Sequence, residues 1–274
     1  MSSWHEVLQP IGNENKGEFV HSYEFKQLLE ILLQLDQNFF MSINNTPTNP
    51  VAFGLGFLKV LKEFKIDVTH IRQVVEFGCG HAVPLAIMAA IMSQINDINH
   101  IKFIGYDIDN GIIEMARKFF DELIKKRVLP EGISYKFTSQ KDDLNYQEGV
   151  DQEGLDIVFC YPQKGQMSRD FIQYIKAVLN NNPNAIIIVN CFTNSFGEDF
   201  LGGIELKLNT DERQLRGNII EFDGEPVAGV IGYSSEKVTI EGDNTIPDKI
   251  PAEGQVNLLV LTSPNNPLYA SYFA

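Results

Sequence analysis

Apolar positions along the chain fall into two alternating periods. Short apolar runs at 74–77, 100–107, 133–137, 155–160 and 185–189 have the length of strands. The longer segments at 84–95, 110–126 and 168–179 repeat their apolar residues at helical spacing. Strands alternating with helices predict an α/β, Rossmann-like fold: a mainly parallel, seven-stranded sheet with helices on both faces. Upstream, a helix over 23–40 carries a broad apolar face of Leu28, Leu29, Ile31, Leu32, Leu33 and Leu35. A loop over 44–50 follows, because Pro47 and Pro50 remove donors and bias their predecessors away from helix. A further helix is predicted over 51–64. Residues 1–50 therefore read as a helical flank or lid, and 51–274 as the main domain.

Beyond Phe192 the pattern changes. The stretch 197–203 is glycine-rich and a poor helix former. Downstream, 218–222 and 226–233 flank Asp223-Gly224, a strong hairpin signal, and 237–240 and 256–261 read as further strands. This part is expected to be rich in hairpins and to hold an insertion around 195–250.

The first strand runs into Glu76-Phe77-Gly78-Cys79-Gly80-His81-Ala82, and the helix from Pro84 follows at once. Open α/β sheets bind ligands beyond the carboxyl ends of their strands, where this turn falls. Gly78 and Gly80 lack a Cβ, so the main chain can take positive φ and a ligand can approach it closely. A dinucleotide fingerprint, GxGxxG, would need a third glycine at position 83, which is Val83. The second strand ends in Asp107, and a carboxylate there can accept both hydrogen bonds of a ribose diol. Asp109, two residues on, is placed to cap the next helix.

ExGxGxA from Glu76 to Ala82 resembles motif I of the class I S-adenosylmethionine-dependent methyltransferases, (D/E)xGxGxG, with alanine for the third glycine. Gly105-Tyr106-Asp107-Ile108-Asp109 looks like that family's GxDxS segment, with Asp109 where serine is common. The resemblance covers roughly 51–262 in order of elements. It implies S-adenosylmethionine as cofactor, with Glu76, Gly78, Cys79, Gly80, Asp107, Ile108, Asp142 and Tyr161 around it. Glu76 would lie near the cofactor's polar end. Asp142 and Asp143 follow the third strand, in a polar loop over 139–143 where the family often places an Asp against the adenine amino group. They come a few residues later than that position, which Ser139 would occupy. At the end of the fourth strand, Cys160-Tyr161-Pro162-Gln163 lacks the (D/N)PPY of amino-group methyltransferases. Tyr161 and Gln163 orient an acceptor on the functional reading, and form a proline-directed turn on the structural one. His81 is a candidate base, or else a donor to the cofactor carboxylate.

Charge narrows the acceptor. Acidic residues outnumber basic ones 36 to 22, a formal charge of −14 that repels phosphate backbones. The basic run Lys125-Lys126-Arg127 sits where a helix dipole favours cations, so nucleic acid is not the expected partner. A small-molecule or protein acceptor is expected instead, with no membrane, and the oligomeric state is open. Three cysteines, 79, 160 and 191, lack CxxC spacing. They read as buried core residues in a reducing, cytoplasmic setting, with no metal, although all three fall near strand ends and a zinc site is the rival reading. No secretory signal or membrane span is read from the sequence. Two further readings stand beside methyl transfer: an NAD(P)-dependent oxidoreductase, and a catalytically silent scaffold that keeps the fold.

Overall fold

The computed structural model describes residues 23–35, 49–139, 155–160, 169–190, 219–222, 224–239 and 253–266. In chain order these form α1 (Tyr23–Leu35), α2 (Pro50–Glu63), a 3-10 turn (Val68–His70), β1 (Ile71–Phe77), α3 (Val83–Ile95), β2 (Lys102–Asp107), α4 (Asn110–Lys125) and β3 (Ser134–Ser139). Then come β4 (Leu155–Cys160), α5 (Arg169–Asn181), β5 (Ile186–Asn190), β6 (Ile219–Phe222), β7 (Glu225–Thr239) and β8 (Glu253–Thr262).

One sheet holds all these strands in the order β3-β2-β1-β4-β5-β8-β7-β6. The first five are mutually parallel. β8 runs antiparallel to both of its neighbours, β5 and β7, and β6 is antiparallel to β7. The fold is thus α/β with a mainly parallel sheet, as the alternating periods predict, but the described residues make eight strands and not seven. Two features of the C-terminal part set the count, one adding a strand to the seven and the other joining two segments into one. A hairpin turning at Gly224 adds β6 as an edge strand. The separate strands expected at 226–233 and 237–240 are one strand, β7. The polar run Ser234-Ser235-Glu236 interrupts the apolar pattern, yet pairs without a break with Leu258, Asn257 and Val256. A ladder is built from main-chain groups and tolerates such side chains. Ser139, read as the start of a loop, is the last residue of β3.

The sheet separates two apolar layers. On one face lie α1, α2, α3 and α4; on the other, among the described residues, lies α5. α3 is apolar around its first ten residues and buried from Val83 to Met92 except at Pro84, because it packs against β1 and β2 of the sheet, against α2 beside it and against α1. α4 is amphipathic instead, burying Ile113, Ala116, Phe119, Phe120 and Leu123. Phe120 meets the Phe137 ring edge-on at 4.9 Å, a contact worth about 0.5–1.5 kcal/mol beyond area burial. Gly105 makes that packing feasible: a Cβ there would lie 2.5 Å from the Phe137 ring and 2.9 Å from Cys79 Sγ. Asp109 caps α4, accepting from Gly111 N and Ile112 N, as its position predicts. No described helix is long and apolar enough to cross a membrane.

Candidate functional site

The turn between β1 and α3 lies at the carboxyl edge of the parallel strands. Three of its residues have positive φ: Gly78 at 63°, Gly80 at 52° and Ala82 at 59°. Ala82 adopts a conformation costing an alanine roughly 1–2 kcal/mol, so the surrounding bonds must hold it there. Those bonds are on either side. Cys79 N donates to Tyr106 O at 2.9 Å, and Ala82 N donates to Cys79 O at 2.7 Å. A Cβ built on Gly78 or Gly80 would meet nothing within 4 Å, so the outer side of the turn is open. A ligand can lie directly against this main chain.

Asp107 faces the same opening from the end of β2. Its Oδ2 accepts from Gly80 N at 2.9 Å and its Oδ1 from Asp109 N at 3.0 Å. An ionised carboxylate has about four acceptor positions. With one N–H on each oxygen, Asp107 fixes the turn and has acceptor positions to spare. Ile108, beside it, is 62% exposed despite being apolar, and its carbonyl faces Ser139 Oγ at 3.5 Å.

Glu76 lies on the inner side. It is 1% exposed, and Leu85 N donates to its Oε2 at 3.2 Å. Burial pushes its carboxyl well above the usual range and the nearby Asp107 adds to that, against the Leu85 hydrogen bond, which lowers it. The Cys79 thiol is also pushed up, first by burial and then by Glu76 and Asp107. It is a buried thiol without thiolate character, as expected for a core cysteine. Phe77 and Tyr106, at the ends of β1 and β2, stack with centroids 5.1 Å apart on the opposite face. Burial raises the Tyr106 phenol.

Glu76, Gly78, Cys79, Gly80, His81, Asp107 and Ile108 are therefore contiguous along the edge made by β1, its turn and β2. His81 is half-buried within the turn. Asp142, Asp143, Tyr161, Gln163 and Cys191 lie outside the described residues. Among the described residues no group of His, Cys, Asp and Glu is arranged to hold a metal ion, and Cys79 and Cys160 are buried. A groove of about 590 Å³ flanks β3, lined by residues such as Arg117, Asp121, Tyr135 and Lys136. It runs along the sheet's edge and touches the carboxyl end only at Asn110 and Ser139.

A second polar cluster occupies the amino edge of the same strands, and nothing in the sequence pattern marks it. Asp156 is fully buried and its Oδ2 accepts from Gln73 Nε2 and Asn182 Nδ2, both at 2.8 Å.

Solved structures similar to the chain include methyltransferases, at low sequence identity. The chain is similar to the crystal structure of the O-methyltransferase from Bacillus cereus in complex with S-adenosylhomocysteine, at 12% identity over 86% of this chain and 91% of that one, TM-score 0.47. It is also similar to a methyltransferase from Podospora anserina bound to S-adenosylhomocysteine, at 15% identity over 65% and 70%, TM-score 0.40. A third is the S-adenosylmethionine-dependent methyltransferase of Anabaena variabilis, at 14% identity over 86% and 95%, TM-score 0.40. No family model and no curated protein matches the chain.

Proposed function

We propose that this chain is an S-adenosylmethionine-dependent methyltransferase acting on a small-molecule or protein acceptor. The observation that carries the reading is the open turn at Gly78 and Gly80, tied by the Gly80 N–H to a half-exposed carboxylate, Asp107, at the end of the neighbouring strand. The residues present fit the cofactor. Asp107 would accept from the ribose hydroxyls, Ile108 would supply apolar surface to the base, and the main chain of Gly78, Cys79 and Gly80 would pack against the methionine part.

The bound cofactor supplies an electrophilic methyl group on a sulfonium. Displacement at that carbon is in line, so the protein's part is to align two partners and exclude water. A hydroxyl or ammonium acceptor also has to lose a proton, and His81 in the turn is the proposed base. Asp142 and Tyr161 are proposed to complete the cofactor pocket. Val83, in place of a third glycine, is the first residue of α3 and buried, which favours this ligand over a dinucleotide.

Thermal denaturation with S-adenosylhomocysteine, S-adenosylmethionine or NAD tests the proposal. At a hundredfold excess over Kd a ligand adds about 2.7 kcal/mol, which in a chain of this size is a rise of about 5–10 °C. The expected result is a rise with the two adenosyl ligands that is lost in Asp107→Ala. A rise with NAD alone would support the oxidoreductase instead, and no rise with any of the three would support a silent scaffold.

A further inference from the structure

We propose that Glu76 is a positioning residue: from the end of β1 its side-chain oxygen caps α3 at Leu85 and fixes the turn in the shape a ligand meets, with no contact of its own to that ligand. The inference deepens the methyltransferase reading and rests on it for the identity of the ligand.

The first N–H groups of a helix have no partner within it, and the residue just before the helix usually supplies one from its side chain. In α3 that residue is Ala82, which is left-handed and has only a methyl group to offer. Pro84 in the first turn has no N–H to satisfy. Leu85, the third residue of α3, has its N–H directed to Glu76 Oε2, nine positions back in the chain. The capping oxygen thus comes from the preceding strand, across the whole turn, and ties the end of β1 to the start of α3. Asp107 does the equivalent for the middle of the turn through Gly80 N.

Burial separates the two carboxylates. Asp107 is half-exposed beside the exposed Gly78, whereas Glu76 is 1% exposed beneath the turn. A ligand lying on the open side meets the main chain of Gly78 to Gly80 and Asp107, with Glu76 behind them. The titratable groups facing Glu76 are Asp107 from β2 and Cys79 from the turn. His81 is in the same turn. α3 carries no titratable side chain, and the register partner of Glu76 on β4 is Phe159. Among the described residues no cation acts on the Glu76 carboxyl, and its raised position favours the neutral acid, whose carbonyl oxygen receives the Leu85 N–H. A glutamine presents the same oxygen at the same reach.

The experiment compares wild type, Glu76→Gln and Glu76→Ala by amide hydrogen exchange at Leu85 in the ligand-free protein and by calorimetric titration with S-adenosylhomocysteine. Glu76→Gln is expected to keep Leu85 protection and to bind within about twofold of wild type, whereas Glu76→Ala loses about tenfold in both, the worth of a strong cap. Unchanged Leu85 protection in Glu76→Ala would overturn the cap. A glutamine variant that keeps protection but binds as weakly as the alanine variant would show that the carboxylate touches the ligand, which also overturns the proposal. If Glu76→Ala does not fold, the glutamine variant decides between these outcomes alone. If wild type does not bind S-adenosylhomocysteine, the methyltransferase reading falls, while Leu85 protection still decides the positioning role.

Discussion

The two edges of the parallel strands each bury a carboxylate, and they use it in opposite ways. At the amino edge Asp156 accepts from two side-chain amides, Gln73 and Asn182, and all three are buried. At the carboxyl edge Glu76 and Asp107 accept from main-chain N–H groups, at Leu85, Gly80 and Asp109. A cluster of buried side chains holding one another serves the fold. Carboxylates holding a turn whose outer side is open serve whatever lies on that turn. A buried carboxyl group is common to both edges, so burial alone does not mark a functional site; the direction in which the partners leave room does.

The largest effect expected from breaking this contrast is at the amino edge. Asp156→Ala leaves two amides buried without their acceptor and should cost about 3 kcal/mol of stability in urea denaturation, with the affinity of the folded protein for S-adenosylhomocysteine unchanged. A fall in affinity there would mean that the two edges are coupled. The next effect is a slope in pH. Glu76 in the folded protein holds its proton above the ordinary value of 4.5, so between that value and its raised one the folded state binds more protons than the unfolded. Wild type should therefore lose stability relative to Glu76→Gln as pH rises through this window. Parallel stability curves for the two proteins would mean that Glu76 is already ionised in the fold. The smallest effect is at Ala82. Glycine would relieve about 1 kcal/mol of left-handed strain but remove a fully buried methyl worth about 0.8 kcal/mol. Ala82→Gly should thus change stability by no more than about 1 kcal/mol, measured in the same denaturation series.

Much of the carboxyl edge was legible in the sequence because it is local. The apolar run before Gly78, the glycine spacing, Asp107 at the next strand's end and Asp109 at its helix start all lie within a few residues of the elements they serve. The Asp109 cap is a case where residue type and position sufficed. The Leu85–Glu76 bond was not legible, since nine residues and a left-handed turn separate donor from acceptor. The amino-edge cluster was further out of reach: Gln73 and Asp156 are 83 positions apart, and Asn182 is 26 beyond. Only the register of β1 on β4 brings them together. The continuity of β7 failed for a related reason, because pairing with β8 overrides the polar triplet at 234–236.

The place of β8 has a consequence for the order in which the molecule assembles. β5 and β7 do not touch as neighbours; each pairs with β8, which is made after both. Before β8 is made, the edges of β5 and β7 that it will pair with lack that partner, and such edges are open to wrong partners. Synthesis of 253–262 supplies the strand that fits between them. The sheet is therefore closed from within by a late-made strand, while β7 is held in addition by its packing on α2 and α5.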